Sequence, residues 1–244
     1  MLIVFANQKG GVGKSTIAML FASYLGIHGR MCCMLDCDRQ MSILKKYRED
    51  LECKGYHVSE QDLLNPKFQL PENPDSLFKI QRLNIKQLSI SLDTMWKRGV
   101  EQLVSEDNDL FLFDMPGQLD LELMHPIFRI ADAIITPTAF TDFDNDSTRT
   151  FVDAIDCLKV RAQKFIVPNN ISSIINYSKR PAEERYYQSK GFILTPDIPK
   201  TVNLTRGLNT MGMHRVVYGM VQSTFDYILR TLNISIDCIN EGAQ

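Results

Sequence analysis

The residues with the most chemistry in them stand near the beginning of the chain, in Asn7-Gln8-Lys9-Gly10-Gly11-Val12-Gly13-Lys14-Ser15-Thr16. Glycines at this density let successive backbone N–H groups curve around one anion. Lys14 offers a point charge to the outer phosphates of a polyphosphate, and the Ser15 hydroxyl suits a magnesium ion bridging them. Such a loop works only between a buried strand and a helix. Both are legible: Leu2 to Ala6 is an apolar run of strand length, and Ile17, Leu20, Phe21, Tyr24 and Leu25 recur at helical spacing. The first helical turn adds unpaired N–H donors and the positive end of the helix dipole. The stretch reads as a P-loop. It departs from the strict pattern at Gln8, where glycine is asked for, and it carries a second lysine, Lys9, ahead of the glycine pair. A dinucleotide loop is set aside, because it needs a third small residue where Thr16 stands.

Acids at strand ends add to this chemistry. The apolar run Met31 to Leu35 closes on Asp36-Cys37-Asp38-Arg39-Gln40, and Leu110 to Phe113 closes on Asp114-Met115-Pro116-Gly117. Carboxylates at the carboxyl ends of buried strands face the crevice where open α/β sheets bind ligands. Alternation puts Asp36 and Asp38 on one side. Any buried strand can end in aspartate; as the third strand-end carboxylate after a P-loop, Asp114 reads as a Walker B residue, able to accept from magnesium-bound water or from the P-loop hydroxyl.

A lysine followed by Gly-Gly-Val-Gly-Lys-Ser resembles the deviant Walker A motif of the ParA/MinD family of P-loop ATPases, most of all the short, Soj-type partition members. The resemblance implies Mg-ATP held by Gly10, Gly11, Val12, Gly13, Lys14, Ser15 and Thr16, with Ser15, Asp36 and Asp114 around the metal. It implies that Lys9 reaches across an ATP-dependent homodimer to the partner's nucleotide, so that Lys9, Lys14 and Asp38 form the catalytic set. Asp38 would orient the attacking water, Gln40 would belong to the first switch, and Gly117, in the mobile second switch, would sense the γ-phosphate. An asparagine near Asn169 or Asn170 would read the adenine edge, and the loop Asp197-Ile198-Pro199 would lie on the nucleotide side. Hydrolysis would be slow and stimulated by a DNA-binding or adaptor protein.

The elements that must position these residues alternate strand and helix, which predicts a doubly wound, mostly parallel sheet flanked by helices. Helical patterns cover Ser42 to Cys53, Leu92 to Val104, an N-capped amphipathic stretch in which Asp144-Asn145-Asp146-Ser147-Thr148 precedes Phe151, Ala154, Ile155 and Leu158, and about Arg215 to Leu232, where Val217, Val221, Phe225, Ile228 and Leu232 form one stripe. Strands are expected at Leu77 to Leu83, Ala133 to Pro137, Lys164 to Pro168 and Phe192 to Thr195, and a loop at Gln69 to Asp75. With 244 residues and 44% hydrophobic content, one domain over 1–244 is expected.

A net charge of −2 argues against a surface coated in basic residues, though a local patch can hide in a neutral total. The six cysteines lack a CxxC pair and read as reduced thiols. No cationic leader or run of 18 apolar residues appears, so a cytoplasmic protein is expected. No Lys or Arg follows Arg230, unlike the basic membrane helix of MinD-like members, and a cluster-binding cysteine spacing is missing. Partition of plasmid or chromosomal DNA is the favoured expectation. The DNA candidates are Lys179, Arg180, Arg185, Lys190, Lys200 and, above all, Arg206 and Arg215. The alternatives are an ATPase positioning a protein cargo in conjugation or secretion, and a metabolic enzyme resembling dethiobiotin synthetase.

Overall fold

The first strand, β1 (Leu2–Phe5), is apolar at every position because it lies inside a parallel sheet with helices over both faces, where a strand has no wet side. The computed structural model describes residues 1–59, 61–62, 77–82, 110–117, 121–201 and 209–236. Within them run β2 (Cys33–Asp36), β3 (Lys79–Arg82), β4 (Phe111–Asp114), β5 (Ala133–Thr138), β6 (Gln163–Pro168) and β7 (Phe192–Leu194). These form one seven-stranded sheet, ordered β3-β2-β4-β1-β5-β6-β7, with every neighbouring pair parallel.

The described helices are α1 (Lys14–Ile27), α2 (Ser42–Cys53), α3 (Leu121–Ile130), α4 (Asp142–Cys157), α5 (Arg180–Ser189) and α6 (Arg215–Thr231). Strand alternation divides the core in two. Ile3, Phe5, Met34 and Leu112 face α1, α2 and α6 through Phe21, Leu44 and Phe225. Leu2, Val4, Leu35 and Phe113 face α3, α4 and α5 through Phe128, Phe151 and Tyr187. The doubly wound sheet expected from the sequence is observed.

The order reverses around β1: the chain leaves it toward β2 and β3, returns through β4, and continues outward on the other side through β5, β6 and β7. A crevice opens at the carboxyl edge at such a reversal. Of the strand expected over Leu77 to Leu83, the described residues form β3 over Lys79–Arg82, with Leu77 and Phe78 ahead of it. Helices α3, with Pro126 inside it, and α5, inside a polar segment, were not expected from the sequence. The helix expected over Leu92 to Val104 and the loop over Gln69 to Asp75 lie outside the described residues.

One helix is anchored at both ends. The Ile43 and Leu44 N–H groups in the first turn of α2 donate to Asp36 Oδ2, each at 3.1 Å. Near its other end Asp50 accepts from the Thr210 N–H and hydroxyl, both at 2.8 Å, just ahead of α6.

Candidate nucleotide-binding site

The loop after β1 ends at Gly13, which caps α1 in the left-handed region at φ 92°. A side chain there would be strained, and a Cβ would also collide with the Asn169 amide nitrogen. No side chain caps α1 and no acid sits in its first turn, so the opening N–H groups remain available to an anion. Lys14 follows at once, buried, its ammonium donating to the Lys9 carbonyl at 2.9 Å. Burial lowers the Lys14 pKa, against the pull of Asp114 and Asp38.

Asn7 fixes the start of the loop. Its amide nitrogen donates to the Pro137 carbonyl at 2.8 Å and to the Thr148 hydroxyl at 3.1 Å, while its oxygen accepts from the Lys9 N–H at 3.2 Å. On the opposite wall Gly117 approaches so closely that a Cβ would stand 3.2 Å from Gly10 Cα and 3.4 Å from Lys14 Nζ. The loop after β4 and the P-loop therefore touch through glycines, with Gly117 beside Gly10 and the Lys14 ammonium.

The acids converge on the same edge. Asp36 and Asp114 are register partners on adjacent strands, and Asp114 is also paired with Phe5 of β1. Asp38 lies two residues past the end of β2, so strand alternation does not bring it to Asp36; a turn does, with the Asp38 N–H donating to Asp36 Oδ1 at 3.2 Å. Burial pushes the Asp114 carboxyl up to about 8; Asp36 adds to the push, and the Ser15 hydroxyl and Lys14 oppose it. Burial raises Asp36 to about 6, against the backbone donors that hold it down. Although the Ser15 hydroxyl stands near enough to hold the Asp114 pKa down, neither buried Asp114 oxygen is in hydrogen-bonding geometry with any group. An orphaned carboxylate beside a second carboxylate and a hydroxyl is a hard oxygen donor set that a magnesium ion fits.

On the side of β6 and β7, Asn169 is buried and donates from its amide nitrogen to the Val12 carbonyl at 2.9 Å, tying this wall to the P-loop. Asn170 is exposed and takes a left-handed turn at φ 59°. Pro199 is exposed and bridges to Ile171. Lys9 is drawn instead to Asp144 at the start of α4, 2.6 Å away.

A sequence profile of the family described as ATPase MipZ matches residues 1–166. The chain belongs to that family, within the ParA/MinD group of P-loop ATPases. The chromosome-partitioning ATPase Soj of Thermus thermophilus is 28% identical over a 142-residue alignment that covers 55% of this chain and 53% of that relative. The match thus spans about half the length of the family relative. Among solved structures, a putative plasmid partition protein of Borrelia burgdorferi B31 bound to AMPPNP superposes with a TM-score of 0.68 at 18% identity, over 94% of this chain and 98% of that one. The cobyrinic acid a,c-diamide synthase of Mycobacterium smegmatis, with ADP and magnesium, gives 0.66 at 19% identity over 95% of each chain. At such identities the likeness is one of fold, and a family member can share its fold with a biosynthetic enzyme.

The basic residues singled out in the sequence divide in the structure. Lys179 is paired with Asp142 at 2.9 Å, Lys190 with Asp153 and Asp156 at 3.2 and 3.0 Å, and Arg180 with Glu184 and Asp197 at 2.6 Å each. Arg185, Lys200 and Arg215 are exposed, and Arg206 lies outside the described residues. Sequence reasoning gave no role of its own to Asn7 and placed Asp144 only in the N-capping stretch of a helix, since their partners are remote in the chain. Among the described residues no helix is long and apolar enough to cross a membrane.

Proposed function

We propose that the chain is an ATP-dependent dimerising ATPase of ParA type, turning over Mg-ATP slowly in the partition or positioning of plasmid or chromosomal DNA. One observation carries the nucleotide reading: the uncapped start of α1, buried Lys14 and the orphaned Asp114 carboxylate meet at one edge of the sheet. The open N–H groups of Gly11 to Thr16 would cradle the phosphates, with Lys14 turning from the Lys9 carbonyl to the γ-phosphate. Ser15, Asp36 and Asp114 would hold magnesium, which, when bound, neutralises charge building on the β,γ-bridging oxygen. Asp38 would orient the water that attacks the γ-phosphorus as the bond to that oxygen breaks and ADP leaves. The walls formed by Gly117 and Asn169 would exclude other water, with Asn169 rather than exposed Asn170 nearest the nucleotide. Lys9 would complete the partner's site, so ATP and dimerisation each strengthen the other by the same factor.

Sedimentation with Mg-ATP tests this. Asp38→Ala should run as a dimer that does not turn over, and Lys9→Ala as a monomer. A Lys9→Ala protein that dimerises as well as the unaltered chain would leave Lys9 an ordinary loop lysine and overturn the dimer reading. A second reading, in which the dimer positions a protein cargo, draws support from the carboxylates that already neutralise Lys179, Arg180 and Lys190. Retention on duplex DNA separates the two.

A further inference from the structure

We infer that Arg180 is a positioning residue for the base-side wall of the nucleotide site, an inference that rests on the ATP reading above. The acids Asp36 and Asp114 stand on β2 and β4, to one side of the P-loop. A nucleotide with its terminal phosphates on that side must run its ribose and base the other way, toward the carboxyl ends of β6 and β7.

There the loops after β6 and β7 are stitched into one piece. The Ile198 N–H donates to the Pro168 carbonyl at 2.8 Å, the Ile171 N–H to the Ile198 carbonyl at 3.1 Å, and the Lys200 N–H to the Ile171 carbonyl at 2.8 Å. This backbone presents Pro199 beside Asn169 and Asn170. What fixes it from outside is Arg180, the first residue of α5. Its Nη1 and Nη2 donate to the two oxygens of Asp197 at 2.7 and 2.6 Å, and its Nε donates to Glu184 at 2.6 Å. The guanidinium carbon also lies 4.9 Å from the ring centre of Phe140. Phe140 is buried in the loop after β5 and held at φ 55°, which a bulky residue adopts only when its surroundings impose it.

One planar group thus joins the segments that follow β5, β6 and β7. A lone surface ion pair stabilises little. This one is bidentate, shared with a second carboxylate and backed by an aromatic face, and the Arg180 side chain is 22% exposed. Lysine cannot reproduce the fork. Nε, Nη1 and Nη2 each already donate to a carboxylate, so the charge of Arg180 is largely neutralised within the chain.

The test compares two ligands, each with magnesium: ATP, and inorganic tripolyphosphate, which has no base. In Arg180→Ala the ATP dissociation constant should rise about 5- to 30-fold, the scale of removing a charge-assisted fork that preorganises a wall. That for tripolyphosphate should stay within about two-fold, since the phosphate cradle is untouched. Arg180→Lys and Asp197→Asn should reproduce the loss in ATP preference, with thermal melting confirming that each is folded. Equal weakening of both ligands would mark a general structural role and overturn the inference, as would an unchanged preference in a folded variant. An unaltered chain that binds tripolyphosphate as tightly as ATP would overturn the base-side wall while leaving the P-loop reading standing. One that binds neither would overturn both.

Discussion

Lys9 Nζ and Asp144 Oδ1 stand 2.6 Å apart within a single chain. The other Asp144 oxygen accepts from the Thr141 hydroxyl at 2.5 Å, and the ring of Phe143, 81% exposed, lies 5.7 Å from the Lys9 ammonium. The lysine that sets this loop apart from an ordinary P-loop is therefore held at home, at the start of α4.

If Lys9 serves the partner's nucleotide, it must leave Asp144 to do so. Asp144→Asn keeps the shape and the hydroxyl contact but removes the charge. The ATP-dependent dimer should then tighten by about 2- to 30-fold, because a partly exposed pair contributes about 0.2–1 kcal/mol and the dimer releases two of them. Sedimentation equilibrium with Mg-ATP measures this. A weaker dimer would mean that Asp144 guides the lysine rather than restrains it.

Lys14→Ala should weaken Mg-ATP binding by about 10- to 150-fold, since it deletes a charge-assisted interaction contributing about 1.5–3 kcal/mol. Calorimetric titration is the measurement. The fold itself should not suffer, since the variant removes an ammonium that burial already disfavours. Unchanged ATP affinity would remove the P-loop assignment.

The pH dependence of stability follows from Asp36 and Asp114. Their carboxyls are pushed up to about 6 and about 8 from an ordinary value of 3.8. The folded chain therefore holds protons that the unfolded chain has released, and stability should fall as pH rises from about 4 toward 8. Asp114→Asn should flatten the upper part of that fall and melt a few degrees higher at pH 8, since about 1 kcal/mol shifts a chain of this size by about 2–4 °C. Magnesium favours the ionised acids, so it should restore more stability at pH 8 than at pH 6. A thermal melting series with and without chelator would show both effects, and a profile without slope between pH 6 and 8 would contradict them.

For DNA, replacing Arg206 and Arg215 together should lower affinity for any duplex and reduce the salt slope by about 1 for each phosphate that is no longer neutralised. ATP binding should be unaffected. Lys179→Ala and Lys190→Ala should change little, because Asp142 and the pair Asp153 and Asp156 already neutralise those ammonium groups. Filter binding across a salt series gives both slope and affinity. No retention of the ATP-bound protein at low salt would turn the reading to a protein cargo.

What the sequence made legible was local. A glycine loop between an apolar run and a helical stripe leaves little choice of conformation, and aspartates at the ends of apolar runs mark the carboxyl edge of a parallel sheet. Helix α3 escaped because Pro126 breaks the expected pattern inside it, and α5 because a polar helix is quiet in hydrophobic periodicity. Contacts between distant segments escaped altogether. Arg180 looked like one more surface cation, and only its approach to Asp197, 17 residues on, changes its meaning. The same holds for Asn7 and Thr148, 141 residues apart, and for Lys9 and Asp144.

Mechanically, α2 is a strut. Its near end is pinned to Asp36 through Ile43 and Leu44, and its far end to Thr210 through Asp50. The seven residue steps from Ile43 to Asp50 span about 10 Å of helix. A helix transmits axial displacement with little compression, so a pull on the Asp36 carboxylate must either break two hydrogen bonds or carry Thr210 with it. Thr210 stands just ahead of α6 and Arg215, at the end of α2 away from Asp36. A displacement at the crevice would in this way reach the start of α6 by leverage, with no charge exchanged between them.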